Sequence, residues 1–241
     1  MTHNSHADCR KAFYEIMALL DCHTHNPERW RDAIVSCRPG EFARLSADYP
    51  DAVFSVGVHP WDTATCDAAG LERSLQMLQA IATDPRVVAI GEAGLDGLRR
   101  TSDDVQEAVL RRQIELSEVV GKPLVIHCVR RYVRMLHLQR EMHPQQPWIW
   151  HGFRGKPELA RQILAASPRN YISLGERFNP LAAAIIPYDR LLAETDESPL
   201  PITQIITSIA SARPEAAPAL THHLAANLYV IIKPGGCPAE G

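Results

Sequence analysis

Residues 19–25 read LLDCHTH, an apolar run that closes on Asp21 and then sets His23 and His25 two positions apart. On a strand, positions i and i+2 face the same side, so both imidazoles would project from one face near the strand's end. The pattern recurs along the chain. IMALLD (16–21), DAIVS (32–36), VFSVGV (53–58), VVAIGE (87–92), PLVIHC (123–128), PWIWHG (147–152), YISLGE (171–176) and RLLAETD (190–196) are short β-rich runs. Most are nearly continuous in hydrophobicity rather than alternating, as suits strands buried on both faces of a parallel sheet.

Helical patterns lie between them. Leu71, Leu75, Leu78 and Ala82 share one face. Val105, Val109, Leu116 and Val120 share another, opened by TSDD (101–104) as cap and acidic first turn and closed by Gly121. KPELARQILAA (156–166) and PITQIITSIASA (201–212) each carry Pro in the first turn. Eight strand–helix units in one chain predict an α/β fold, a closed (β/α)8 TIM barrel. An open doubly wound sheet is the alternative, but no GxGxxG follows the first run. The expected organisation is one barrel domain over 17–232, with a flexible extension at 1–16 and a flexible tail at 233–241.

The bulk numbers exclude several classes. A net charge of -3 lacks the electrostatic signature of a protein that grips long nucleic acid through many phosphates. A short or terminal stretch of nucleic acid stays compatible with it. The six cysteines, Cys9, Cys22, Cys37, Cys66, Cys128 and Cys237, form no CxxC and read as free thiols. No apolar run approaches the roughly 18 residues that span a membrane, and MTHNSHADCRKAF has no secretory h-region. The expected location is the cytoplasm. Nothing in the residues sets an oligomeric state.

Nearly every run ends at its C-terminal side in a histidine or a carboxylate: His23 and His25, His59, Glu92, His127, His151 and Asp196. In a barrel that end is the active-site face, so these groups converge. Each alone has an ordinary reading, a core histidine or a loop carboxylate. Together, four imidazoles and two carboxylates around one point without a counter-charge would cost on the order of several kcal/mol per carboxylate. Divalent cations make the cluster favourable, and five or six ligands suit two ions. His3, His6, His137, His143, His222 and His223 lack this placement and read as surface or helix histidines.

With DCHTH, GVHP, GEAGLD, IHC, HGFRG and ETD in this order, the sequence resembles the TatD-like metal-dependent hydrolases of the amidohydrolase superfamily, over about Leu19 to Asn227. The resemblance implies a (β/α)8 barrel with one or two divalent ions acting on phosphodiesters, several members being DNases with exonuclease activity; histidine and carboxylate ligands accept Zn²⁺, Mg²⁺, Mn²⁺ or Fe²⁺ alike. It also implies that His23 and His25 hold one metal, His127 and His151 the other, Glu92 bridges them, Asp196 completes the coordination of the first metal and His59 contacts substrate phosphate. The chain departs from the family pattern at Gly152 and Arg154 in HGFRG, at ESP after ETD, and at Val129 after IHC. These changes leave the ligands intact but reshape the mouth.

A dinuclear hydrolase needs a bridging anion, often a carbamylated lysine or a glutamate. Lys11, Lys122, Lys156 and Lys233 lie away from the strand ends, which makes Glu92 the candidate bridge on residue inventory. Two ions about 3.5 to 4 Å apart would clamp an in-line displacement and bring the pKa of water toward roughly 7. Asp196 would accept that water's proton. Arg130, Arg131, Arg154 and Arg177 follow strand ends and suit phosphate oxygens. Trp61 could stack a base, and Asp96 would orient a ligand rather than bind metal. Strand parity would turn Cys22 and Cys128 away from the side used by His23 and His127. The first functional expectation is a phosphodiesterase, a deoxyribonuclease of exonuclease type acting on DNA. The alternatives are a carbon-centred hydrolase of the same fold and a non-catalytic metal-bound binding protein.

Overall fold

The computed structural model describes residues 19–99, 101–213 and 217–232. The expected extension at 1–16 and tail at 233–241 lie outside the described residues, as does the start of the first apolar run.

Eight parallel strands close into a barrel in chain order, so the expected (β/α)8 TIM barrel is the fold. They are β1 (Asp21–Thr24), β2 (Ala33–Cys37), β3 (Val53–Val56), β4 (Val87–Asp96), β5 (Leu124–Val129), β6 (Trp148–Trp150), β7 (Asn170–Leu174) and β8 (Leu191–Ala193). The helices around them are α1 (Pro39–Asp48), α2 (Ala68–Ile81), α3 (Asp103–Val120), α4 (Tyr132–Met142), α5 (Pro157–Ala166), the single turn α6 (Pro180–Ala183), α7 (Ile202–Ser211) and α8 (Ala217–Ile232). Each expected run yields a strand, with shifted ends. β1 contains His23 itself, β4 extends through GEAGLD to Asp96, and β8 stops at Ala193, which leaves Glu194 to Asp196 in the following connection.

Period-2 alternation divides the strand residues between two cores. Those facing outward, such as Leu124, Ile126, Trp148, Trp150 and Ile172, pack under the helices. Those facing inward near the strand starts, Ile34, Val125, Ile149 and Leu192, cluster with Leu228, Ile231 and Ile232 of α8, which fill the N-terminal end of the barrel.

α3 departs from the expected face. Its caps are as expected, with Ser102 accepting from Val105 N and Gly121 left-handed at φ 67°. The buried face, however, is Gln106, Val109, Leu110, Gln113, Ile114 and Ser117, while Val105 is exposed. Both glutamines are buried because they pair with strand-end backbone. Gln113 accepts from Val58 N (2.8 Å) and donates to Val58 O (2.9 Å), and Gln106 accepts from Asp96 N (2.7 Å) and donates to Asp96 O (3.2 Å). A buried amide with both ends paired carries little desolvation penalty, and these two fix the segments that deliver His59 and Asp96.

Candidate metal centre and active-site cavity

The C-terminal end of the barrel opens into a cavity of about 690 Å³. Glu92 stands at its floor, 5% exposed, and five imidazoles point at its carboxylate. Oε1 lies 2.6 Å from His127 Nδ1, 2.7 Å from His151 Nε2 and 3.0 Å from His59 Nε2. Oε2 lies 3.2 Å from His25 Nε2 and 3.5 Å from His23 Nε2. The glycines of GEAGLD allow this: a Cβ at Gly91, whose φ is 124°, or at Gly94 would collide with the β5 backbone, at Val125 and His127 respectively. Only bare backbone lets β4 lie close enough to β5 to bring Glu92 beside His127.

Asp196 completes the group from the β8 side. It sits at φ 53°, its N–H donates to His23 O (2.9 Å), and its carbonyl accepts from His25 N (3.2 Å). Its Oδ1 lies 3.7 Å from His25 Nε2. Buried Asp21 seals the same seam, accepting from His23 N (3.2 Å), Thr195 N (3.0 Å) and Thr195 Oγ1 (2.6 Å).

Burial alone would push the Glu92 pKa up, but charge on His151 and contacts to His127, His151 and His23 outweigh it and hold Glu92 well below the usual carboxylate range. The histidines divide. Burial lowers His23 and His59, which favours the neutral, ligand-competent imidazole. For His127 and His151 burial is outweighed by the surrounding carboxylates, and both are raised.

Ligand-capable atoms fall into overlapping groups within 4.8 Å of one another: His23, His25 and Asp196; His23, Glu92 and His151; His59, Glu92 and His127; His151, Glu194 and Asp196. All six expected ligands are therefore brought together. His59 and Glu194 join them. Among the described residues, Nδ1 of fully buried His23 has no hydrogen-bond partner, and His23 Nε2 and His151 Nδ1 have only carboxylate oxygens at 3.5 Å, of Glu92 and Glu194, outside good hydrogen-bond geometry. Orphaned imidazole nitrogens are costly inside a fold, and together with the carboxylates they are a donor set that fits Zn²⁺, Mn²⁺ or Mg²⁺.

Carboxylates stand behind two of the rings. His127 turns Nδ1 toward Glu92 and Nε2 toward Asp96 Oδ2 (3.3 Å). His151 turns Nε2 toward Glu92, and its Nδ1 lies 3.5 Å from Glu194 Oε1. Glu194 is also fixed by Gly152 N at 2.6 Å.

Other expected site residues separate into two sets. Arg154, Arg177 and Trp61 line the cavity. Arg130 does not: at φ 55° it is exposed and lines a separate groove along α4 with Arg131, Arg134 and Arg140, because the left-handed turn after β5 directs the chain away from the mouth. Arg131 is tied to Asp103 at 2.7 Å. Arg38 and Arg44 line the cavity in their place. Arg38 directly follows β2, so the strand-end rule applied to the other arginines would have found it.

Cys22 also corrects the parity argument. It lies inside the barrel with His23, and its Sγ contacts Ser173 Oγ at 3.0 Å. The β1 register slips between Asp21 and Thr24, and an irregular strand no longer alternates strictly.

A (β/α)8 barrel carries its active site at the C-terminal face in enzymes of this fold, and that is where the histidine–carboxylate cluster lies. The family model for TatD related DNase matches residues 31–228, and the chain belongs to that family. The 3'-5' ssDNA/RNA exonuclease TatD of Cronobacter turicensis is 35% identical over 169 residues, 67% of this chain and 62% of its own length. The protein of the same name from Edwardsiella piscicida is 35% identical over 161 residues, 63% of this chain and 60% of its own. The chain thus spans about three fifths of these relatives. The crystal structure of the TatD homolog YJJV from Escherichia coli k12 superposes with a TM-score of 0.74 at 23% identity, covering 90% of this chain and 98% of that one, and supports the fold.

Proposed function

We propose that this protein is a divalent-metal-dependent phosphodiesterase, an exonuclease-like deoxyribonuclease acting on short or terminal stretches of DNA in the cytoplasm, where its cysteines stay reduced. One observation carries the reading: five imidazole nitrogens lie within 3.5 Å of one buried carboxylate. Family membership and the exonuclease names of the relatives direct it toward phosphodiesters.

His23, His25 and Asp196 would hold one ion, His127 and His151 a second, with Glu92 shared. Bound divalent ions supply Lewis-acid charge at the phosphate and lower the pKa of water. Asp196, 27% exposed, opens to the cavity and accepts the proton of the attacking water. Asp96 and Glu194 hold the far sides of His127 and His151 and so fix which nitrogen faces the centre. Arg38, Arg154 and Arg177 at the cavity wall take phosphate oxygens, with His59 beside them.

The test is a substrate panel. Purified protein with Mg²⁺, Mn²⁺ or Zn²⁺ is assayed on end-labelled single-stranded and duplex DNA, RNA, a bis-aryl phosphate and aryl esters, beside Glu92→Ala. Phosphodiester cleavage lost in Glu92→Ala supports the reading. Ester turnover lost in that variant, with no phosphodiester cleavage, replaces it with the carbon-centred hydrolase.

A further inference from the structure

Trp61 lies just past His59, in the short helical turn Pro60–Ala64, and is 39% exposed at the cavity wall. A tryptophan at a wet edge is ordinary, but this one is held at two points. Its Nε1–H donates to Asp96 Oδ2 at 2.7 Å, and the Arg99 guanidinium lies over its ring, 3.7 Å from the centroid. The same Asp96 oxygen lies 3.3 Å from His127 Nε2 and 3.8 Å from Arg99 Nε. Asp96 cannot easily shift, since Gln106 clamps its N–H and carbonyl. One carboxylate oxygen thus faces a flat aromatic at the mouth, a cation stacked on that aromatic, and an imidazole of the central cluster.

We propose that Trp61, Asp96 and Arg99 act as one unit: the indole–guanidinium pair is the stacking platform for the unpaired terminal base of a single-stranded substrate, and the indole N–H, through Asp96, fixes the orientation of His127. The inference rests on the nuclease reading and adds to it a base subsite and its link to the centre. Every base has a π-face, so such a platform tolerates any sequence. The guanidinium holds the indole by cation–π attraction and adds positive charge for the neighbouring phosphate. A base inside a duplex is stacked on its neighbours, which makes the platform selective for a free end.

Trp61→Phe separates the two roles, because phenyl still stacks and has no N–H to give Asp96. Binding is read with the chelated full-length protein by fluorescence anisotropy of a labelled single-stranded dT12, and turnover of the same oligonucleotide is read with Mn²⁺. Trp61→Phe is expected to bind within about twofold of wild type and to lose kcat by about tenfold, the low end for a partner that orients a metal-ligating histidine. Trp61→Ala is expected to lose affinity by about tenfold as well, and Arg99→Ala to weaken binding by about threefold. Melting curves of each variant separate these effects from loss of fold. Wild-type affinity in a folded Trp61→Ala overturns the platform, and wild-type kcat in Trp61→Phe overturns the link to His127. If the wild-type protein binds and cuts no oligonucleotide, the nuclease reading falls and the base subsite falls with it.

Discussion

At the N-terminal end of the barrel Val125, Ile149 and Leu192 meet Leu228 and Ile231 of α8 in an apolar plug. Two residues further along the same strands or their ends, with the same inward parity, stand His127, His151 and Glu194, part of the cluster around Glu92. A step of two positions, about 7 Å of strand, converts packing into chemistry. The backbone is unusual within the cluster as well: Asp196 sits at φ 53°, whereas the other non-glycine residues with positive φ among those described, Arg130 and His143, lie outside it. Stability and activity should therefore respond to different ends of one strand.

The largest expected effect breaks the upper end. Glu92→Ala should lower phosphodiesterase kcat by at least about a thousandfold, since it removes the group shared by all five histidines, while circular dichroism retains the barrel. A variant that keeps a tenth of its activity would show that the histidines work without it. At the other end, Leu228→Ala should cost about 3 kcal/mol of stability, within the range for a buried leucine, with kcat per folded molecule within about twofold of wild type. Urea titration and active-site counting measure the two quantities, and a large loss in kcat would mean that the ends are coupled.

Much of this contrast was readable in the residue order. The eight runs correspond to eight strands, and the six expected ligands converge because five of them lie near or just past a strand's end and the sixth, Glu92, lies within the long β4. Less readable were polar groups whose partners are backbone from elsewhere in the chain. Gln106 and Gln113 are polar residues on the face that carries Val109, Leu110 and Ile114, and only the strand ends at Asp96 and Val58 explain their burial. Asp21 and Glu194 stand beside the motifs, and their work, across the β1–β8 seam and behind His151, leaves no mark in local sequence. An irregular register that leaves no trace in hydrophobicity keeps Cys22 inside the barrel, and a left-handed turn carries Arg130 away from the mouth.

Smaller effects sharpen the map of the mouth. Arg154→Ala should raise KM for a single-stranded oligonucleotide by about tenfold, as expected for one lost charge-assisted hydrogen bond, and Arg130→Ala should leave KM within about twofold, because Arg154 lines the cavity and Arg130 does not. Equal effects would place substrate outside the cavity.

The smallest is a pH effect at the seam. Burial raises the Asp21 pKa from its ordinary 3.8 to about 7, against the hydrogen bonds from Thr195 and His23. A carboxyl whose folded pKa exceeds its unfolded one binds its proton more tightly in the fold. Its contribution is full below pH 3.8 and is lost as pH rises through about 7. Asp21→Asn carries no such loss, so its melting temperature should gain on wild type between pH 4 and 8, by on the order of a few degrees. A gap that narrows over that interval would mean that Asp21 stays ionised in the fold.

The central claim, a cluster around Glu92 that holds two divalent ions and cuts phosphodiesters, is tested most directly by titrating metal-stripped protein with Mn²⁺ while following hydrolysis of end-labelled single-stranded DNA. Activity should rise to a plateau at two ions per chain. A plateau at one ion per chain or fewer, or no cleavage at any loading, would contradict it.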